Sequence, residues 1–366
     1  MVVASDPRKE IRRTEIRGRL VKKNVFAIIL AGGSGERFWP LSSPERPKQF
    51  LKIFGGKSLI RQAMERILPI IPIENVLVVT AKSLEKATVK ELPELPRENV
   101  ILEPCRKNTA PAIATALGEV LRRGGPDALA ATLTADQLME KPGAFRSLLR
   151  KAYGIAAKKD VIVTLGVQPT YPATGFGYIN AEKKVFVEKP DAATAARYVK
   201  SGKYVWNAGM FIFRAGALHA LCGQLAPELV ALADAVAAAD SANAVLKKIY
   251  PTLTSVAFDY AIMERTRALE VVSGDFGWDD VGGYAALAAH LPVDGEGNVR
   301  LGKTRQLDCS GCTLLGDGVR VSAFGLKDIV IASCGDEVLV MPRSRAADLK
   351  RLLEVLPADF VRMISQ

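Results

Sequence analysis

Residues 26–54 read FAIILAGGSGERFWPLSSPERPKQFLKIF, and this stretch decides the fold. The unbroken apolar run Val25 to Leu30 predicts a strand buried on both faces, the habit of strands inside a parallel sheet. It stops at Gly32-Gly33-Ser34-Gly35. There the backbone is free to bend tightly and to turn successive N–H groups toward one point, a cradle for phosphate oxygens. Two fixed cations follow, Arg37 and Lys48. No Gly-Lys-Ser/Thr closes the loop, so it is not a Walker A loop. Phe38 stands where a dinucleotide fingerprint would place its third glycine.

Downstream, strand-like and helix-like stretches alternate. Ser58 to Ile67 reads as a helix capped by Ser58, Val76 to Thr80 as a strand, and Ser83 to Glu91 as a helix ended by Pro93 and Pro96. Val100 to Leu102 begins the next strand. Thr109 to Arg123 is an alanine-rich helix stopped by Gly124-Gly125-Pro126, and Leu129 to Thr134 is a strand that delivers Asp136. This alternation argues for an α/β domain with a Rossmann-like, mostly parallel central sheet. Ligands of such sheets sit at the carboxyl ends of the strands, where the glycine loop and Asp136 both lie. A further strand is expected at Val161 to Gly166, followed by a Pro-, Gly- and Tyr-rich loop over Pro169 to Tyr178; strand-like Val185 to Glu188 leads into Lys189-Pro190, and Val205 to Arg214 holds Trp206-Asn207-Ala208-Gly209. Leu218 to Ala239 reads as a long alanine- and leucine-rich helical region that serves packing, and Asp259 as the cap of a helix to Arg265. After His290 short β-type segments alternate with Gly, Asp, Asn and Ser, at Asn298 to Leu301, Thr313 to Leu315, Val319 to Ser322, Ile329 to Ala332 and Val338 to Met341. No clean period emerges from them. Ala346 to Leu356 closes the chain as a helix. Three regions follow: a basic extension over 1–23, a catalytic domain over 24–290 and a small β-rich domain over 291–366.

A length of 366 residues suits one large domain plus a smaller one, and 49% hydrophobic against 24% charged residues excludes global disorder. No apolar run reaches the roughly 20 residues that span a bilayer, and no apolar signal segment follows the N-terminal charges. An odd count of 5 cysteines fits a reducing cytoplasm, with Cys309 and Cys312 read as buried thiols. Net charge is +11, partly from Arg8, Lys9, Arg12, Arg13, Arg17, Arg19, Lys22 and Lys23. The remaining cations are spread without aromatic interleaving. A solvated basic tail therefore explains the charge more simply than a nucleic-acid site does.

Arg37, the Trp39-Pro40 step and Pro47-Lys48-Gln49-Phe50 make the opening loop far more specific than its glycines alone. The pattern resembles the signature of the sugar-phosphate nucleotidylyltransferases, and LAGGSGERFWPLS…PKQF is most similar to their mannose-1-phosphate guanylyltransferase branch. That resemblance implies nucleotidyl transfer from GTP to mannose 1-phosphate with Mg2+ as cofactor, in a cytoplasmic enzyme. It also implies that the C-terminal segment is a small irregular β-helix used for packing or self-association, hence a homodimer. Leu30, Ala31, Gly32, Gly33, Ser34, Gly35, Asn108 and Thr109 would hold the nucleotide. One aspartate of an Ala-Asp step and one of a Trp-x-Asp-Val-Gly step would bind the metal; by position these are Asp136 and Asp280, with Asp279 a solvated neighbour. Arg37 and Lys48 would bind the triphosphate and steady the leaving pyrophosphate. Lys189, in Glu188-Lys189-Pro190, would meet the sugar phosphate, with Glu188 and Asn207 on sugar hydroxyls and Gly175 near the ring. On the residues alone, an aspartate beside a glycine also serves as a turn or cap.

A sugar 1-phosphate, with a second pKa of ~6, is already an anionic nucleophile at neutral pH and needs no general base. This agrees with a chain holding only 2 histidines, His219 and His290, neither in a motif. The family's Gly-Arg and Ala-Asp-His steps stand here as Arg106-Lys107 and Ala135-Asp136-Gln137. Alternatives remain open: the same chemistry on another nucleotide or hexose, or a non-catalytic sugar-nucleotide-binding subunit.

Overall fold

The structure is a computed structural model that describes residues 24–33 and 35–356. The basic extension over 1–23 and the nucleotide-binding expectation at Ser34 lie outside the described residues. The run that opened the reading is strand β1 (Val25–Leu30), with β2 (Val76–Ala81), β3 (Val100–Glu103) and β4 (Leu129–Thr134) following. Strand β1 lies between β2 and β4 and is parallel to both, with Leu30 opposite Val79 and Thr134. Its side chains alternate between two apolar clusters, Phe26 and Ile28 in one and Ala27 and Ile29 in the other. That alternation is why no polar residue interrupts the run.

The first cluster is covered by the helix Thr109–Gly124 and by the helices Ala215–Leu225, Pro227–Ala237 and Ala242–Ile249. The second is covered by the helices Leu59–Ile67 and Pro142–Ala156. Ser58 caps the helix it precedes, accepting from the Arg61 backbone N–H at 3.3 Å. Beyond β5 (Leu138–Met139) come β6 (Ile162–Val167), β7 (Tyr178–Asn180), β8 (Val185–Val187), β9 (Tyr204–Arg214) and β10 (Leu269–Ser273). The sheet runs β10-β6-β9-β4-β1-β2-β3, with β9 antiparallel to both neighbours and β7 and β8 appended to it. The remaining neighbour pairs along that path are parallel.

The helical region read over Leu218 to Ala239 holds two helices, Ala215–Leu225 and Pro227–Ala237. Pro227 has no N–H to continue the first helix but suits the first turn of the second. Asp259 does not cap a helix; it opens a π-helical turn, Asp259–Met263, and makes no capping bond. The separate segments at Thr313 and Val319 are one strand.

That strand, β13 (Thr313–Phe324), follows β11 (Trp278–Asp279) and β12 (Val299–Leu307) and precedes β14 (Ile329–Cys334) and β15 (Glu337–Pro342). Strands β12, β13 and β14 stack in parallel and β15 returns antiparallel, a short irregular helical wrap of β-structure. The expected terminal helix is a 3-10 turn, Arg343–Asp348, leading into the α-helix Leu349–Leu353. Cys309 and Cys312 are buried thiols that donate to backbone carbonyls.

Candidate active site

Because Leu30 and Thr134 are register partners, the chain leaves β1 and β4 side by side. Ala31 to Gly33 and Ala135 to Asp136 therefore share one sheet edge, sealed by the Ala135 N–H on the Leu30 carbonyl at 3.0 Å. They line a cavity of about 530 Å3, together with Leu30, Glu103, Asn108 and Thr109. Asn108 takes a positive φ of 66° and its Oδ1 caps the Thr109 N–H at 2.9 Å. The Thr109 hydroxyl accepts from the Phe258 N–H at 2.9 Å, so it serves the fold. Among the described residues, Gln49 Oε1 and Thr134 Oγ1 are buried without a hydrogen-bond partner, and both residues line this cavity. Arg106 and Lys107, the departures from the family pattern, bring positive charge to its wall.

Gly35 has a φ of 65°, which an L side chain rarely adopts, and an added Cβ would stand 2.4 Å from the Lys48 backbone nitrogen. This close approach brings Lys48 under the glycine loop. Its buried Nζ lies 3.2 Å from Asp136 Oδ2 and donates to the Asp280 carbonyl. Arg37 Nη1 donates to the Gly282 carbonyl at 3.0 Å. Arg37, Lys48, Asp136 and Asp280 thus converge from three distant segments.

The two aspartate loops are locked to each other. Strands β5 and β11 pair antiparallel directly beyond them, Trp278 opposite Met139 and Asp279 opposite Leu138. Gln137, buried, accepts from the Trp278 indole N–H at 2.9 Å and donates to the Ala208 carbonyl at 3.1 Å. The departure from histidine therefore keeps one acceptor and one donor in place. Asp279, its side chain 35% exposed, also accepts from the Val281 N–H at 2.5 Å and from His290 Nε2 at 2.8 Å. His290 Nδ1 reaches Glu140 at 2.8 Å. Burial opposes protonation of this imidazole, but the two carboxylate bonds outweigh it and hold the ring above its ordinary value. Val281 accepts a φ of 46° to aim Asp280 inward.

Burial pushes the Asp280 carboxyl up; Lys48 pulls it down, Asp136 pushes it up again and Arg37 pulls it down. Two neighbouring carboxylates that repel each other offer hard oxygen donors to a divalent cation.

On the sugar side, Glu188 Oε1 pairs with Lys189 Nζ at 2.7 Å. Lys189 also holds a positive φ, 41°. Burial works against its charge, yet the Glu188 hydrogen bond and charge raise it above its ordinary value. Gly177 is the glycine pressed on Glu188, since a Cβ there would meet Glu188 Oε2 at 2.7 Å, whereas Gly175 stands open. Buried Asn207 accepts the Gly209 N–H at 3.1 Å and donates to Asp259 Oδ1 at 3.1 Å. A second cavity, about 590 Å3, opens beside Asp279 and Asp280 and is walled by Tyr171, Phe176, Trp206 and Trp278.

Asp259, His290 and Asp279 escaped the sequence reading as site residues. A Gly-Trp-Asp-Asp-Val-Gly-Gly run hints at Asp279; nothing local marks Asp259 or His290.

A strand-end glycine loop, a buried lysine and two converging carboxylates define an α/β enzyme that handles nucleotides and their phosphates. The chain belongs to the nucleotidyl transferase family, whose model matches residues 26–293. Residues 302–356 match the MannoseP isomerase/GMP-like beta-helix domain. The mannose-1-phosphate guanylyltransferase of Escherichia coli is 36% identical over 350 residues, covering 91% of this chain and 74% of that protein. Xanthan biosynthesis protein XanB of Xanthomonas campestris is 37% identical over 351 residues, covering 90% and 73%. A crystal structure from Thermus thermophilus, described as a mannose-1-phosphate geranyltransferase, superposes with a TM-score of 0.81 at 34% identity, covering 90% of this chain and 98% of that one.

Proposed function

We propose that this enzyme transfers the guanylyl group of GTP to mannose 1-phosphate, giving GDP-mannose and pyrophosphate. The observation that carries the reading is the Lys48 ammonium set between the Asp136 carboxylate and the Asp280 backbone, directly beneath the glycine loop. In the reaction a phosphate oxygen of the sugar 1-phosphate attacks the α-phosphorus and forms the new P–O bond. The bond from that phosphorus to the α–β bridging oxygen breaks, and pyrophosphate leaves with the electron pair. No proton has to be removed from the nucleophile.

Asp136 and Asp280 would hold Mg2+, which when bound neutralises the triphosphate and braces the displacement. Lys48 and Arg37 stabilise the charge that grows on the departing pyrophosphate, in a site where donors are already positioned. Lys189 receives the phosphate of the incoming sugar and offsets its repulsion from GTP. Glu188 and Asn207 bind hydroxyls, while Gly32, Gly33 and the Asn108 segment hold the nucleotide.

The choice of GTP has its own support in Glu103. Its buried carboxyl lies in the first cavity, Oε1 accepting from the Tyr250 hydroxyl and Oε2 near Gly32. A carboxylate only accepts, and guanine offers it N1–H and the 2-amino group together. Adenine presents an acceptor at that edge. Burial pushes the Glu103 carboxyl up, Tyr250 pulling against it, so a pair of donors from a base would be welcomed.

The enzyme is further proposed to work in the cytoplasm, as a homodimer; the outer strand β15 offers exposed Val338 and Val340 for self-association. Among the described residues no helix is long and apolar enough to cross a membrane. The test pairs GTP, ATP, UTP and dTTP with mannose 1-phosphate and glucose 1-phosphate and follows Mg2+-dependent pyrophosphate release. Release confined to GTP with mannose 1-phosphate, and lost in Asp280→Asn, is expected. Release with another pair overturns the substrate assignment. Silence from a protein that still binds GDP-mannose points to a regulatory subunit.

A further inference from the structure

The π-helical turn Asp259–Met263 is not accounted for by the reaction above. Such turns are rare and concentrate at functional sites. This one is anchored on both sides of the cleft. The Phe258 N–H donates to the Thr109 hydroxyl at 2.9 Å and the Ala110 N–H to the Val256 carbonyl at 3.1 Å, which ties the turn to the nucleotide-side helix. At its other end Glu264 Oε1 accepts the Glu188 N–H at 2.9 Å, which ties it to the sugar side. Asp259 stands between the two anchors and lines the first cavity.

The Asn207 amide is oriented by its surroundings. The Gly209 N–H at 3.1 Å and the Thr164 hydroxyl at 2.9 Å both meet Oδ1, so the amide nitrogen faces Asp259. Among the described residues, Asn207 is the one side chain that donates a hydrogen bond to the Asp259 carboxylate, at 3.1 Å. An ionised carboxylate has room for about four donors. Glu188 and Glu264 lie close enough to disfavour its charge and Lys189 to favour it, and Lys189 is already paired with Glu188. A phosphate would be repelled there. What this corner lacks is a neutral donor, and Asn207 keeps its second amide hydrogen for a neighbouring acceptor. Adjacent ring hydroxyls of a hexose meet both needs at once.

Resting on the guanylyltransferase reading, we propose that Asp259 is a specificity-determining residue of the sugar subsite, accepting a hydrogen bond from one ring hydroxyl of the hexose 1-phosphate whose phosphate lies on Lys189. The test compares the full chain and Asp259→Asn with GTP and mannose 1-phosphate, then with the 2-, 3-, 4- and 6-deoxy sugars. The expected loss in kcat/KM for mannose 1-phosphate is on the order of 100-fold, the scale of a hydrogen bond to a charged group, with KM for GTP nearly unchanged. One deoxy sugar should lose a similar factor with the wild-type chain and lose nothing more in the variant. Equal losses for every deoxy sugar in both proteins overturn the proposal. So does a loss that follows 2′- or 3′-deoxy-GTP instead, which would assign Asp259 to the ribose. Retained GDP binding by calorimetry shows that the variant folds, and the wild-type deoxy series decides on its own if it does not. An inactive wild-type chain would sink the guanylyltransferase reading, a different result from any of these.

Discussion

Replacing Asp259 with Asn should make the substrate-free protein more stable at pH 8 and leave it little changed near pH 4. Burial, then the charge of Glu188, pushes the Asp259 carboxyl from 3.8 to about 6; its own backbone N–H and Lys189 pull the other way. A folded-state pKa above the unfolded one means that the group's favourable contribution is complete below 3.8 and is lost as pH rises through about 6. At about 1.4 kcal/mol per pH unit, that gap sets a ceiling of about 3 kcal/mol, reached above pH 7. Asparagine does not titrate, yet still offers an oxygen to Asn207. The assay is thermal unfolding of both proteins without substrates across pH 4.5 to 8. The midpoint difference should widen in favour of the variant from pH 4.5 to about 6.5 and stay level above that. A difference that is flat with pH, or that favours the wild type at pH 8, refutes the account of this corner as a charge held at a cost for binding.

Gly35→Ala would set a methyl group 2.4 Å from the Lys48 nitrogen at a φ of 65°, so pyrophosphate release should fall at least about tenfold with a stability loss of about 1–3 kcal/mol, checked by kinetics and unfolding together. Gln137→Ala leaves the Trp278 N–H and the Ala208 carbonyl without their partner; the Mg2+ concentration for half-maximal rate should rise several-fold, about 1 kcal/mol of misplaced aspartates, and Gln137→His should recover most of it. Glu103→Gln puts an amide donor beside guanine's donors, so the preference for GTP over ATP in kcat/KM should drop about tenfold or more, measured by competition.

Much of the architecture was legible because the sheet is parallel and covered on both faces. Val25–Leu30 is a continuous apolar run, and Val76–Ala81 and Leu129–Thr134 are apolar but for Thr80, Thr132 and Thr134; such runs have few other ways to be buried. Gly35, Arg37, Lys48, Asp136 and Asp280 sit in dense local motifs, so their convergence on one sheet edge could be anticipated. Asp259 and His290 could not be read this way. Each acquires its partners across the fold, Asn207 lying 52 positions from Asp259 and Glu140 lying 150 from His290, and neither pairing leaves a periodic trace. The π-helical turn differs from an α-helix by one hydrogen-bond step, which local propensity does not register. Pro227, by contrast, is a visible breaker inside the helical region Leu218 to Ala239, and the region divides into two helices there.

The C-terminal strands are part of the catalytic loop's foundation, not an appendage beside it. A three-residue 3-10 turn such as Glu36–Phe38 or Lys48–Phe50 makes too few internal hydrogen bonds to hold a shape against solvent. What holds this loop is one apolar core in which Phe38, Trp39, Leu41 and Leu51 pack with Leu315, Val330, Leu339 and Leu353. Tyr284 joins the same core and lies 2.9 Å through its hydroxyl from the Phe38 and Trp39 carbonyls, while Arg46 reaches Asp317 at 2.6 Å. Val281, strained at a φ of 46°, is buried in that core as well, so the packing that steadies Arg37 and Lys48 also restrains the turn that aims Asp280. Cations and carboxylate are thereby referred to a common rigid body, and a cavity opened at Leu339 or Leu353 would loosen both sides of the transferring phosphate together.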